Sequence, residues 1–248
     1  MAFVHGKNAR VLLNGADASY WLRSVQWNQQ SDVAETTAFG TTAKTYLSGM
    51  SGFTMGMGGM FEDTATTGFD AVVSPLLGSG TLNNVAMAPN GFTIGRPAWA
   101  VSGAITSYDV QGGVGDIVQA SVNVQGSDRV SRGVSLRDNT ATSVAATTSE
   151  ASVNNAAATT TGYVAYLFVT GVPTSGTTPS VTVTVEHSTN NSSWSSLTSF
   201  AAVTTTVGSE RKTATGTVNQ YLRATATVTG SAIVGGWSYS VVFIRLPF

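Results

Sequence analysis

Few residues in this chain could carry out catalysis. The sequence contains two histidines and no cysteine, which excludes thiolate nucleophiles and zinc–thiolate sites. His187 could serve as a general base, but its neighbour Glu186 would point to the opposite face of a strand. No adjacent carboxylate would then orient the imidazole, as a catalytic triad requires. Since His5 lies close to the beginning of the sequence, we predict no catalytic residue and no enzymatic activity.

Acidic residues occur at two places where a metal ion could be considered. Glu62 and Asp63 precede a predicted helix, and helix N-termini favour acidic side chains without any metal. Asp109 and Asp116 flank the glycine-rich residues 112–115, which offer too few oxygen ligands for a calcium loop. We therefore predict no metal site and no cofactor.

The composition excludes several classes of protein. Charged residues make up 10% of the 248 residues, and the net charge is −1, which does not suit a protein that binds nucleic acid by neutralising phosphates. A hydrophobic content of 42% excludes disorder, and the longest apolar runs are too short to span a membrane. So little charge indicates either a secreted, sugar-facing surface or a surface buried against copies of the same chain. The N-terminal residues lack the apolar core of a signal peptide, which favours the second interpretation.

The first half of the chain has the pattern of β-strands that pack with one helix. The pattern of residues predicts these strands: Arg10–Leu13 before an Asn14-Gly15 turn, Leu22–Trp27, Gly52–Phe61, Gly91–Gly95, Ala98–Tyr108 and Asp116–Gln125. Residues 28–50 contain few candidates for a core and are predicted to form a long loop that is either functional or disordered. In the strand after it, large apolar residues alternate with Gly52, Gly56 and Gly58. This nearly bare face indicates either a bulged strand or a second chain that packs on it.

The helix is predicted from an apolar stripe with helical spacing. Phe69, Val72, Val73, Leu76 and Leu77 follow the spacing of one helix face. Thr67 and Asp70 are predicted to cap its first turn and Gly78 its end, and Pro75 predicts a kink or a two-part helix.

The second half is predicted to be an all-β sandwich. Residues 134–161 are rich in Ala, Thr, Ser and Asn and predict a linker, which divides the chain into domains at 1–133 and 162–248. Strands are predicted at 163–169, 181–187, 197–200, 221–229 and 237–245. Trp194 and Trp237 are candidates for a sugar-binding surface, although aromatic residues in strands more often belong to the core.

Several motifs of the first half, taken in order, resemble the major tail tube protein of long, non-contractile-tailed bacteriophages. The run SDVAETTAFG at 31–40 leads to KTYLSG at 44–49, as an acidic-Thr-Thr-x-Phe-Gly stretch leads to a Lys-Thr-Tyr loop in that family. The glycine-rich strand that runs into Glu62-Asp63, the single helix that ends at Leu76-Leu77-Gly78-Ser79 and the closing strand 116–126 are similar too. Residues 183–188 followed by Trp194 resemble β-sandwich domains appended to such proteins.

This resemblance implies a mainly β architecture: an N-terminal tail-tube β-sandwich or partial barrel with one packed helix, followed by a C-terminal sandwich that decorates the outside. It implies stacked homohexameric rings that form a hollow tube, with no membrane insertion. The implied partners are the tape-measure protein, the tail completion and tip proteins, and genome DNA that passes non-specifically through the lumen. The implied location is the phage tail, assembled in the host cytoplasm. The residues expected at subunit or ring interfaces are Asp32, Glu35, Thr36, Thr37, Phe39, Lys44, Tyr46, Gly52, Gly56 and Gly58.

Two alternatives remain open from the sequence. The chain could be another virion part, such as a head decoration or tail-tip protein that carries the same sandwich. It could also be a carbohydrate-binding adhesive module, through the aromatic residues of 162–248.

Overall fold

The chain folds mainly into antiparallel β-strands, which confirms the predicted fold class. The computed structural model describes residues 4–39, 42–127 and 132–246. The strands are β1 (Arg10–Leu13), β2 (Ala16–Asp17), β3 (Leu22–Glu35), β4 (Tyr46–Met60), β5 (Asn83–Ala88), β6 (Pro97–Gln111), β7 (Gln119–Gly126), β8 (Arg132–Arg137), β9 (Thr148–Ser149), β10 (Val153–Asn154), β11 (Tyr163–Gly171), β12 (Ser175–Ser188), β13 (Ser195–Ser199), β14 (Gly208–Ala214), β15 (Tyr221–Val234) and β16 (Ser238–Arg245). Helix α1 (Phe69–Val73) lies between β4 and β5 in the sequence, and 3-10 turns are found at Gly6–Asn8, Ala18–Tyr20 and Ser74–Leu76.

The chain forms two compact units that differ from the predicted domains. The larger unit comprises Met1–Tyr20, Asn84–Ala100 and Ser131–Phe248, and the smaller unit comprises Trp21–Asn83 and Val101–Val130. Two segments of the predicted N-terminal domain therefore fold with the C-terminal half. The assignment of 1–133 to a tube and 162–248 to its decoration remains a prediction about their roles.

The larger unit contains a β-sandwich. One sheet has the strand order β14-β11-β16-β8, and the other has the order β10-β15-β12-β13 with β9 on β15. Alternate residues of both sheets meet in one core that includes Leu167, Val183, Ala224 and Trp237, as the alternation of the second half predicts. The edge strand β14 was not predicted from the sequence, and the predicted strand at Gly91–Gly95 is a turn region between β5 and β6.

The central strands β11 and β16 are buried on both faces. Their second face, with Tyr166, Phe168 and Val242, packs in a separate core with Leu12 of β1 and Ala86 of β5. A strand that is covered on both faces has a continuous apolar run, and Tyr163–Val169 is buried at every position. Strands β5, β1 and β2 pair in antiparallel order, and the turn predicted at Asn14-Gly15 joins β1 to β2, with Asn14 at a φ of 48°.

Residues 134–161 are packed into the larger unit and do not form a free linker. Leu136, Val144 and Val153 are members of its core. Arg137 forms a buried ion pair with Glu150, and β9 and β10 both pair with β15. Small polar residues surround these buried residues in the sequence. The composition of the segment therefore does not indicate that it is packed.

The smaller unit is built around four antiparallel strands, in the order β3, β4, β7 and the part of β6 from Val101 onward. One face is apolar and buried; it includes Phe53, Met55, Met57, Val122 and Val124. The alternation of Gly52–Phe61 and Asp116–Gln125 predicted this face. Gly59 also lies on this face. A larger residue does not fit there, because a Cβ atom would lie 2.1 Å from the carbonyl oxygen of Trp21.

The helix has the predicted two-part form, and its cap differs from the prediction. The α-helix ends at Val73, and residues Ser74–Leu76 continue as a 3-10 turn that contains Pro75, since proline removes a backbone donor. Gly68 occupies the N-cap position, and no side chain caps the first turn. The predicted Thr67 cap is therefore wrong.

Candidate functional site

Glu62 and His187, two of the residues considered for metal binding and catalysis, accept hydrogen bonds from groups of the fold. Glu62 accepts a hydrogen bond of 3.1 Å from the indole nitrogen of Trp21. His187 accepts one of 3.2 Å through Nδ1 from the backbone of Asn219, and burial followed by the charge of Arg245 lowers the pKa of His187. Within the described ranges, no group of three or more acidic or histidine side chains could hold a metal ion. No helix among them is long and apolar enough to cross a membrane.

Residues 31–39 and 42–50 form the two sides of a projecting β-hairpin, which corrects the prediction of a long loop at 28–50. Strand β3 continues to Glu35 and β4 begins at Tyr46, and these two residues are paired. We call residues 31–39 and 42–50 the outer hairpin. Gly40 and Thr41, which belong to the predicted motif, lie outside the described residues.

The tip of the outer hairpin brings together several of the predicted interface residues. Lys44 forms an ion pair of 3.2 Å with Glu35. The backbone N–H of Thr36 donates to the carbonyl of Thr45 at 2.8 Å, and the N–H of Thr45 donates to Oγ1 of Thr37 at 3.1 Å. The acidic-Thr-Thr and Lys-Thr-Tyr segments are therefore the two sides of one turn, held by their own side chains.

Every residue of the outer hairpin is exposed, including several large apolar side chains. Phe39 and Tyr46 were predicted for the interface, and Val33, Leu47 and Met50 were not; all five are exposed. The last three were missed because residues 28–50 were interpreted as a loop with few core candidates. Their apolar character in a polar run was the available signal. A group of exposed apolar residues on one element is typical of an interaction surface.

Gly52, Gly56 and Gly58 lie further along β4, on the face opposite the buried core. A Cβ atom at Gly52 would meet no atom within 4 Å. At Gly56 it would lie 3.5 Å from Oδ1 of Asn123, and at Gly58 2.9 Å from Oγ of Ser24. Across the described residues this face is therefore open at Gly52 and lightly covered at the other two. We call it the open face of the smaller unit.

Amide and hydroxyl side chains dominate the open face. The register places these residues beside the glycines: Ser24, Gln26, Asn28 and Gln30 on β3, and Ser121, Asn123 and Gln125 on β7. A groove of about 400 Å³ lies where the outer hairpin leaves the sheet, and Asn28, Asp32, Met50 and Gly52 contribute to its lining. Asp32, which was predicted for the interface, is thus placed in this groove.

The two aromatic candidates for a sugar surface differ in their exposure. Trp237 is 0% exposed, and its indole N–H donates to the carbonyl of Thr204 at 2.9 Å, so its prediction as a ligand surface is wrong. Trp194 is half-buried beneath Arg223, whose guanidinium carbon lies 4.3 Å from the ring centroid. The burial of Trp237 agrees with the general tendency of aromatic residues in strands to belong to a core.

Of the features described, the exposed apolar side chains of the outer hairpin are typical of an interaction surface. No protein-family model and no curated protein matches the chain.

Several solved structures are similar to the chain at low sequence identity. A chain of the virion of a native gene transfer agent particle is 14% identical over 52% of this chain and 97% of that chain, with a TM-score of 0.42. The SPP1 tail tube is 10% identical over 52% of this chain and 78% of its own, with a TM-score of 0.43. The SPP1 Dit protein is 9% identical over 89% of this chain and 99% of its own, with a TM-score of 0.38. At these identities and scores, the likenesses establish neither a family nor a function for this chain.

Proposed function

We propose that the chain is a structural subunit that assembles with copies of itself into the tube of a bacteriophage tail. The observation that carries this proposal is the outer hairpin, which is fully exposed and bears Val33, Phe39, Tyr46, Leu47 and Met50. A two-stranded hairpin is marginally stable alone in water. Its strands are expected to gain their stability against another subunit, which would cover the apolar side chains.

The strand edges of the smaller unit support association through β-sheets. Among the described strands, β3 pairs only with β4, so no described strand lies on the other edge of this long strand. An open edge of this kind invites pairing with another chain. A closed ring of such units would form a barrel in which the edge is removed, and contacts between unlike surfaces produce rings and filaments.

The resemblance of the sequence supplies the finer form of the proposal. It implies stacked hexameric rings, a lumen that holds the tape-measure protein and later passes DNA, and tail completion and tip proteins at the ends. The amide, hydroxyl and glycine residues of the open face suit a lumen wall, because a wall rich in arginine and lysine would bind the DNA phosphates.

The test is negative-stain electron microscopy of the purified chain, with sedimentation velocity, before and after substitution of the outer hairpin. We expect rings or tubes for the unmodified protein, and monomers for the double variant Leu47→Ser, Met50→Ser. The two side chains are exposed, so the fold of the monomer should survive, which circular dichroism would check. A strictly monomeric unmodified protein at high concentration would contradict the proposal.

The matched control is Val207→Ser, which removes an exposed apolar side chain from the larger unit. This variant should assemble like the unmodified chain. Immunogold labelling of virions then separates the alternatives, because labelling along the tail agrees with a tube subunit and labelling of the capsid favours a head decoration protein.

A further inference from the structure

A cleft in the larger unit is lined by two arginines that have no role in the proposed assembly. It has a volume of about 260 Å³. Its lining consists of Gly95, Pro97, Arg132, Gly133, Val134, Val153, Asn154, Asn155, Phe243 and Arg245. Among the described residues that line it there is no carboxylate, so the cleft carries positive charge alone.

The two arginines are neighbours across adjacent strands. Val134 of β8 pairs with Phe243 of β16 in antiparallel register. Arg132 and Arg245 each lie two residues from this pair, toward the same end of the two strands, and both line the cleft. Like charges on neighbouring strands repel each other, and an anion between them would reverse the sign of that interaction.

Arg245 is held in position by backbone carbonyl groups. Its guanidinium donates to the carbonyls of Ala157, Asn219 and Gln220, and no carboxylate pairs with it in the described part of the chain. Burial lowers the pKa of Arg245. Such a guanidinium, fixed and without a counter-charge, is a preorganised site for an anion.

Arg132 and Asn154 also have hydrogen-bond donors that are free, among the described residues, to contact an anion in the cleft. Arg132 is exposed and has neither an ion pair nor a side-chain hydrogen bond among the residues that the structure describes. Oδ1 of Asn154 accepts from the N–H of Ala156 and from Nε2 of Gln220, so its amide nitrogen is the free end. Arginine binds carboxylate and phosphate through paired hydrogen bonds, and an amide N–H₂ suits a neighbouring hydroxyl group.

We propose that this arginine cleft binds a small oxyanion, a carboxylate or phosphate group carried by a polyhydroxylated molecule the size of a single sugar. Arg132 and Arg245 contact the anionic group, and Asn154 donates to a hydroxyl beside it. These residues differ from the aromatic ones considered in the sequence, and the site is independent of the assembly surface of the smaller unit.

The test is isothermal titration calorimetry of the full-length protein with glucuronate, glucose 6-phosphate and glucose at equal ionic strength. We expect at least one of the two anions to bind with a Kd of roughly 1 mM or lower, and glucose to show no binding. A preference between glucuronate and glucose 6-phosphate identifies the group as carboxylate or phosphate. Binding should weaken as sodium chloride is added, since salt screens the attraction.

Variants of the cleft make the test specific. Arg132→Gln should weaken anion binding roughly tenfold or more, because hydrogen bonds to charged groups are the strong ones. Asn154→Ala should weaken it to a smaller extent without a change of charge. Lys7→Gln, which removes an exposed positive charge elsewhere in the larger unit, is the matched control and should leave binding unchanged.

Any of three results would overturn the proposal. They are the absence of binding by both anions at a ligand concentration of roughly ten times the expected Kd, binding of glucose as tight as that of the anions, and unchanged anion binding by Arg132→Gln. Thermal melting of each variant shows whether it is folded, and the exposed position of Arg132 makes its loss tolerable to the fold.

Discussion

Arg137 shows how this molecule accommodates a buried charge. Its guanidinium forms an ion pair with Glu150, donates to the carbonyl of Thr142 at 2.7 Å and lies 4.5 Å above the ring of Tyr239. Burial lowers the pKa of Arg137 and raises that of Tyr239 to about 12. The arginine thus joins β8, the following segment and β16 at one point in the sandwich.

Removal of one member of this ion pair should be costly. We expect Glu150→Ala to lower the free energy of unfolding by about 3 kcal/mol, because it leaves the Arg137 charge buried without a partner. Lys212→Ala, which removes half of the exposed Lys212–Glu210 pair, should cost less than about 1 kcal/mol. Urea unfolding followed by tryptophan fluorescence measures both, and equal losses would contradict a structural role for the buried pair.

His187 should make the stability of the chain depend on pH. Burial and the charge of Arg245 lower its pKa below the ordinary 6.5, and its Nδ1 must be unprotonated to accept from Asn219. The unfolded chain therefore binds the proton more readily. The stabilisation is complete above pH 6.5 and is lost as the pH falls from 6.5 through the lower pKa of the folded protein.

The measurement is the melting temperature between about pH 7.5 and about pH 5.5. The decrease on acidification should be smaller in His187→Asn, whose side-chain oxygen can still accept from Asn219 and does not titrate. His5→Asn is the control, since His5 also accepts a backbone N–H through Nδ1 but is exposed. An identical pH profile for His187→Asn and the unmodified protein would refute this role.

At the level of elements, helix α1 shows what an apolar stripe can and cannot predict. Phe69 and Val73 lie on the buried side of the helix, as the spacing predicts. Leu77 falls beyond the helix and is 44% exposed, because Pro75 changes the path of the backbone after one and a half turns. Phe69 instead packs against Trp21 and Tyr108, at centroid distances of 5.6 and 6.1 Å.

The two ends of the stripe should therefore respond differently to truncation. We expect Phe69→Ala to lower the free energy of unfolding by about 3–5 kcal/mol through loss of aromatic packing. Leu77→Ala should change it by less than about 0.5 kcal/mol. Chemical denaturation of the two variants tests this, and a loss at Leu77 as large as that at Phe69 would contradict the exposed position of Leu77 beyond the helix.

The outer hairpin illustrates a strand that sequence alone does not reveal. A half-buried strand shows alternation because one of its faces is in a core. In the outer hairpin both faces are exposed in the single chain, so Val33 and Leu47 lie among polar residues without a clear period. Only the pairing of β3 with β4 in the structure shows that this segment is extended.

At the scale of the whole molecule, the larger unit is assembled from segments far apart in the sequence. Leu12, Ala86 and Phe92 share a core with Tyr166 and Phe168. The β-sandwich of the C-terminal half therefore has a second apolar face that the N-terminal strands cover. A cut at residue 162 would expose this face.

We expect residues 162–248, expressed alone, to be insoluble or poorly folded, because Tyr166, Phe168 and Val242 would be exposed together. The fragment would also lack Arg137 and the strands β8, β9 and β10. Size-exclusion chromatography and the dispersion of amide signals in a ¹H–¹⁵N NMR spectrum, each compared with the full-length protein, measure this. A monomeric, well-folded fragment would show instead that the predicted domain boundary is correct.

The sequence by itself determined the β-rich class, most of the strands and the buried face of the smaller unit, since these depend on local alternation. It also predicted the Asn14-Gly15 turn and the break at Pro75, because the backbone preferences of one or two residues determine the structure at these places. Only the tertiary structure decided the composition of the larger unit, the burial of Trp237, the outer hairpin and the presence of Arg132 and Arg245 in the lining of one cleft. Each of these depends on contacts between residues distant in the sequence, and no local pattern of side chains encodes which strands become neighbours.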